Sequence, residues 1–95
     1  MPAVVTREMG LTHAEFFRTL PSALEGLHFR IGDAAVDVCD SERRLTIRLA
    51  PEGQRRLAAL RLPVTQVTFL FDGYSETEQA TFLRHFERRF QRGGG

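Results

Sequence analysis

The sequence predicts an α+β fold, a two-layer sandwich in which two helices pack on one face of a mainly antiparallel sheet. Two stretches combine a helix-capping signature with apolar residues at helical spacing, which is typical of amphipathic helices. Between them lie short stretches that alternate apolar and polar residues and are separated by turn residues, which is typical of strands. The expected order is α-β-β-β-α-β-α, a three-stranded meander plus a fourth strand whose neighbours the pattern leaves open.

The first predicted helix begins at Thr12, because Thr12 and Glu15 have the spacing of a capping box. Apolar residues recur at helical intervals after this start and give the helix one apolar face. Pro21 lacks the backbone N–H that a helix interior requires, so we expect a break or kink after Leu20 and a last turn that ends at Gly26.

Two more helices are predicted in the second half of the chain. Residues 51–60 are expected to form a short helix, since Pro51 suits the first helical position. Ser75 and Glu78 have the spacing of a second capping box, and the helix that follows is expected to run to about Gln91. Arginines crowd its final turns, where positive charge complements the helix dipole.

A meander of three strands is predicted after the first helix. Gly32-Asp33 is expected to be a two-residue hairpin turn, which fixes the register of the first two strands. The pairs that follow are Ile31–Ala34, Phe29–Val36, Leu27–Val38 and, on the other face, His28–Asp37. A four-residue loop over Asp40–Arg43 then predicts the pairs Val38–Leu45, Val36–Ile47 and Ala34–Leu49.

The predicted sheet has one apolar and one polar face. All eight phenylalanines are expected on the apolar side or on the helices that cover it: Phe16, Phe17, Phe29, Phe69, Phe71, Phe82, Phe86 and Phe90. The polar face is expected to present His28, Arg30, Asp37, Cys39, Arg44, Thr46 and Arg48, with Ala35, Val64 and Leu70 among them. Single-stranded RNA platforms need aromatic rings on an open sheet face, so this distribution argues against binding of the RRM type.

The composition indicates one domain and excludes several classes of function. The 95 residues have a net charge of +1, so no overall field attracts the chain to nucleic acid or membrane. All 13 basic residues are arginine, which excludes a Schiff-base lysine and the lysine of a P-loop. We expect residues 1–10 to be a flexible N-terminal segment, residues 11–92 a single domain and residues 93–95 a flexible glycine tail.

The cysteine content and the hydropathy pattern favour a cytoplasmic location. Cys39 is the only cysteine, which rules out an internal disulfide and suits a reducing compartment. No apolar run has the length of a signal peptide core or of a membrane span, so we expect no membrane association.

No catalytic, cofactor or metal site is predicted from the motifs. His28 opposite Asp37 would be half of a catalytic triad or of the outer shell of a metal site, but the other half is missing. The three histidines and one cysteine lack the spacing of zinc ligands, and no glycine-rich phosphate loop occurs. We therefore expect a non-enzymatic protein without a cofactor.

The C-terminal residues Arg92-Gly93-Gly94-Gly95 resemble the tail of ubiquitin-like sulfur carriers, which end in an exposed Gly-Gly. The resemblance implies that Gly94 and Gly95 form a carrier tail whose carboxylate is adenylated. The predicted order of elements departs from that family, because here the tail follows a helix rather than a strand. Alternatively, Gly93 is the residue that ends the last helix.

The sequence favours an accessory or protein-binding domain that acts through the open sheet face. Its expected partner is another protein or a second copy of the chain. The alternative is a nucleic acid, held at its phosphate backbone by surface arginines. The residues expected to contact a partner or phosphate are Arg30, Arg44, Arg48, His28, Asp37, Arg88 and Arg92.

Overall fold

The computed structural model describes residues 3–93, and their side chains up to residue 91. It contains six strands and two helices, which confirms a mixed α+β fold with an antiparallel sheet. The elements are β1 (Ala3–Met9), α1 (His13–Ala23), β2 (His28–Gly32), β3 (Ala35–Asp40), β4 (Arg43–Leu49), β5 (Gly53–Leu57), β6 (Leu60–Asp72) and α2 (Glu76–Gly93).

Five of the strands follow one another across the sheet in the order β1-β6-β4-β3-β2, and every pairing is antiparallel. β6 is much longer than its neighbours, and only its second half pairs with β1 and β4. Its first half pairs with β5 alone and forms a hairpin beyond the main sheet. The molecule is therefore elongated, with principal extents of 47 × 24 × 24 Å.

One continuous core joins the two helices to one face of the sheet. On β6 the alternation is as predicted: Thr65, Val67, Phe69 and Phe71 are buried, whereas the residues between them are partly or fully exposed. The Phe69 ring meets the Phe86 ring of α2 edge-on at 5.2 Å, and Phe86 stacks on Phe90 at 4.6 Å. Five phenylalanines are buried and the other three pack against the core, so the predicted inward placement of the aromatic rings is confirmed.

Both predicted capping boxes are present. The backbone N–H of Glu15 donates to the Thr12 hydroxyl at 3.1 Å, and the Thr12 N–H donates to the Glu15 carboxylate at 2.8 Å. Ser75 and Glu78 repeat the arrangement at the start of α2. Pro21 does not interrupt α1, which continues to Ala23.

The turn between β2 and β3 lies one residue later than predicted. Gly32 pairs with Ala35, which leaves Asp33 and Ala34 in the turn, and Ala34 adopts a left-handed φ of 49°. Each pairing consequently shifts by two residues, so that Ile31 faces Val36 and the paired side chains keep their predicted faces. Ala34, predicted to face inward opposite Ile31, is instead exposed in the turn. The observed register gives Ile31 the larger partner Val36 in place of Ala34, while Phe29 faces a valine in either register.

The predicted register between the second and third strands of the meander is confirmed. Val38 pairs with Leu45 and Val36 with Ile47, while the predicted four-residue loop is shortened to the two residues Ser41 and Glu42. Ile31, by contrast, is 49% exposed although it was expected in the core. It lies on an edge strand, at the margin of the packed face.

The predicted short helix over residues 51–60 is wrong. Residues 53–57 form β5, and Ala58 and Ala59 form the turn that leads into β6. Glu52 instead accepts a hydrogen bond from the His13 N–H at the start of α1, at 2.6 Å. The long β6 supplies a ready strand edge for residues 53–57, and tertiary pairing of this kind overrides local helix propensity.

The predicted order of elements is therefore incomplete at its N-terminal end as well. Residues 3–9, expected within a flexible segment, form β1 and pair along their whole length with β6, from Ala3–Phe71 to Met9–Thr65. The edge of β6 needs hydrogen-bonding partners for its buried backbone, and β1 provides them.

Candidate functional site

The sheet has a second face on which neither helix packs, and we call it the open face. Strand register places its side chains in cross-strand rows. The first row contains His28, Cys39, Arg44 and Asp72; the second contains Arg30, Asp37, Thr46, Leu70 and Val4; the third contains Ala35, Arg48, Thr68 and Thr6. This is the face that the sequence predicts to be polar, and most of its side chains are exposed.

A shallow depression of about 490 Å³ lies at the β2-β3-β4 end of the open face. The polar residues that line it are His28, Arg30, Asp37, Cys39, Arg44 and Thr46. Four of the predicted contact residues are thus brought together, and Arg48 stands in the neighbouring row beside Ala35.

The predicted His28–Asp37 pair is wrong, because the register of β2 is shifted. Asp37 lies opposite Arg30, and His28 lies opposite Cys39. The Thr46 hydroxyl donates to the Asp37 carboxylate at 3.2 Å. Arg30 and Asp37 carry opposite charges on neighbouring strands, and such a pair stabilises the sheet. His28 has no carboxylate opposite it, so this arrangement lacks the oriented histidine of a catalytic triad.

The arginines of α2 do not join this surface. α2 packs on the opposite side of the sheet, so Arg88 is separated from the open face by the core. The side chain of Arg92 and the predicted carrier tail, Gly94 and Gly95, lie outside the described residues. On the open face, Arg30, Arg44 and Arg48 form no ion pair with any side chain of residues 3–91.

The β5–β6 hairpin continues the open face along the length of the molecule. Because β6 is one continuous strand, Leu60 and Leu62 project on the same side as Leu70. Leu57 pairs with Leu60, and the two side chains are 60% and 61% exposed. Leu62 is 42% exposed, and we call Leu57, Leu60 and Leu62 together the leucine face.

An ion pair attaches this hairpin to the main sheet. Arg55, opposite Leu62, pairs with Glu8, which lies on the open side of β1 opposite Gln66. The other side of the hairpin is different, because Arg56 and Arg61 stand directly opposite each other there. Among the described side chains neither of these two arginines has an acidic partner.

A separate polar cluster surrounds Tyr74, between the β3–β4 turn and the start of α2. Its ring packs against Phe71, and the Arg43 guanidinium lies over its face at 4.7 Å. Arg43 also pairs with Asp40 and, at 3.0 Å, with Glu78. Burial raises the pKa of the Tyr74 hydroxyl, which finds no hydrogen-bond partner among the described residues. This cluster fastens the β3–β4 turn to the start of α2.

The described residues contain neither a cluster of metal-binding side chains nor a membrane-spanning helix. Within residues 3–93, no three side chains of the types that bind metals come close enough together to hold an ion. Neither helix in that range has the length and apolar content needed to cross a bilayer. No protein-family model matches the chain, and no curated protein matches it at a significant level.

The leucine face is the feature that sequence reasoning missed. An alanine- and leucine-rich segment favours a helix by propensity, and Pro51 supports a helix start. The signal for a strand is the alternation of Leu60, Leu62 and Val64 with polar or turn-forming residues. Read this way, β6 would have been predicted to begin before Pro63 instead of after it.

Proposed function

We propose that this protein is a non-enzymatic accessory domain that binds a protein partner through the open face. The supporting observation is that the two helices cover one face of the sheet and leave the other face uncovered. Val4 is 63% exposed, and it lies in the same row as the partly exposed Leu70. Apolar side chains on a sheet face that no helix covers are typical of contact surfaces.

The distribution of charge on this face also supports a protein contact. Arg30, Arg44 and Arg48 alternate with Asp37 and Asp72, so the face has no single sign. An apolar centre with a mixed-charge rim is the usual anatomy of a protein–protein interface. A surface that binds a phosphate backbone would instead carry predominantly positive charge.

Phosphate-backbone binding is the second candidate, and one observation favours it. Arg30 on β2 and Arg44 and Arg48 on β4 stand on the open face with no ion-pair partner among the described side chains. Three such cations could contact successive phosphates. Binding of that kind weakens steeply as salt is added.

The experiment that separates the two candidates is affinity capture from a lysate of the native host with two variants. Leu70→Arg puts a charge into the apolar centre, and we expect it to abolish capture of a protein partner while the fold survives. Arg44→Glu with Arg48→Glu should weaken that protein contact much less than Leu70→Arg does, since it changes only the rim.

The same variants are then tested on labelled DNA and RNA. Retention of nucleic acid that falls with salt and disappears in Arg44→Glu/Arg48→Glu would establish the second candidate. A wild-type chain that sediments as a strict monomer and captures no protein would refute the first. Circular dichroism and thermal unfolding of both variants confirm that the fold is kept.

A further inference from the structure

We infer that the partner of this surface is a second copy of the chain, held in a two-fold dimer by the leucine face together with the open face beside it. This inference rests on the proposed function, because it names the partner of the same surface. The β5–β6 hairpin supports the inference, because its leucines are exposed and lie outside the core of their own chain.

The hairpin has no core of its own. Every residue from 51 to 62 is exposed, and β5 pairs with β6 alone. Two-stranded hairpins without such support are marginally stable in water. Ala58 in the turn has a left-handed φ of 54°, which is unfavourable for a residue with a side chain. Contacts within its own chain therefore stabilise the hairpin only slightly, whereas a surface that covers its leucines would stabilise it much more.

The charges of the hairpin favour a neutral partner on the leucine side. The charged group on that side is Arg55, and Glu8 of the same chain already neutralises it. Arg56 and Arg61, which lack an acidic partner among the described side chains, face the other way. A nucleic acid or another polyanion would be drawn to that other side and would leave the leucines exposed.

A second copy offers a surface of matching chemistry. In a two-fold dimer the same patch of each chain contacts its copy on the other chain. Its apolar side chains must therefore meet apolar side chains, and its positive charges must meet its own negative charges. The leucine face meets the first condition. The open face meets the second, because Arg30, Arg44 and Arg48 are interspersed with Asp37 and Asp72.

The available area is sufficient only when both parts of the surface are used. A long side of the molecule measures 47 × 24 Å, a planar area of roughly 1,100 Å², whereas a stable interface buries about 800 Å² per partner. The hairpin is a small part of that side. Since its leucines project on the same side as Leu70, the leucine face and the open face form one continuous surface.

The test compares two substitutions of neighbouring cross-strand pairs. Leu57→Thr/Leu60→Thr removes apolar area from the leucine face, and Arg56→Thr/Arg61→Thr is the matched control on the opposite side. Threonine favours strands, so both variants keep the hairpin. Sedimentation equilibrium of the wild-type chain should show a dimer, and the leucine variant should raise its dissociation constant by at least about tenfold. The arginine variant should leave that constant unchanged or lower it.

Three results would overturn the inference. They are a wild-type chain that is monomeric throughout the concentration range, a dimer that the leucine variant does not weaken, and equal weakening by both variants. If the leucine variant unfolds, Leu62→Thr alone repeats the test on the same face. A monomeric wild type that still captures another protein, with loss of capture in Leu70→Arg, would refute the dimer and leave the proposed function standing.

Discussion

Phe69→Ala is expected to lower the free energy of unfolding by about 3–5 kcal/mol, the usual cost of deleting a fully buried aromatic ring. Phe69 is 0% exposed and lies at the centre of the core. Its ring lies edge-on to two rings of α2, with centroid distances of 5.2 Å to Phe86 and 6.4 Å to Phe82. Removing it leaves a cavity between the sheet and the helix that neither element can fill without moving. Urea unfolding followed by circular dichroism measures the loss.

The control for this prediction is Thr68→Ala on the same strand. Thr68 points to the open face, where its hydroxyl lies 3.4 Å from that of Thr6. Its replacement should change stability by no more than about 0.5 kcal/mol, as is usual for surface positions. Similar losses for the two adjacent residues would mean that the open face is packed as tightly as the core, which would contradict the assignment of faces.

Leu45→Ala should cost about 2–5 kcal/mol, whereas the same substitution at Leu60 should cost within about 0.5 kcal/mol. Leu45 is 1% exposed on β4, and Leu60 is 61% exposed on the hairpin. The chemical change is identical, so the difference reports only on burial. Thermal or urea unfolding at dilute protein concentration, where the chain is monomeric, provides the comparison.

The second half of that comparison bears on function. If Leu60 contributes nothing to the fold of one chain, its side chain is available for the contact with a second chain that we propose. A cost at Leu60 that matched the cost at Leu45 in the monomer would show that the hairpin is folded back onto its own chain. The leucine face would then be unavailable for a partner.

Much of the sheet could be predicted because its signals are local. Period-two alternation fixes which face each side chain occupies, and that assignment survives the shift of the β2–β3 turn because a two-residue shift preserves it. The capping boxes of Thr12 and Ser75 are likewise set by residues three apart. The buried and open faces therefore follow from the sequence.

The remaining features depend on pairing between distant parts of the chain. Residues 3–9 become a strand only because β6 lies alongside them, and residues 53–57 do so because β6 extends beyond the sheet. Helix propensity for residues 51–60 was outweighed by this long-range pairing. The same error concealed the leucine face, which is why the sequence located the open face but not its continuation.

The labelling rate of the Cys39 thiol tests directly whether the open face is the binding surface, since this exposed cysteine stands on that face beside Arg44. Labelling with a maleimide should be fast in the dilute folded chain, well ahead of global unfolding, and should slow when the protein associates or its partner is added. A thiol that reacts only as fast as the chain unfolds, or at one rate whether or not a partner is bound, would contradict the open face as the binding surface.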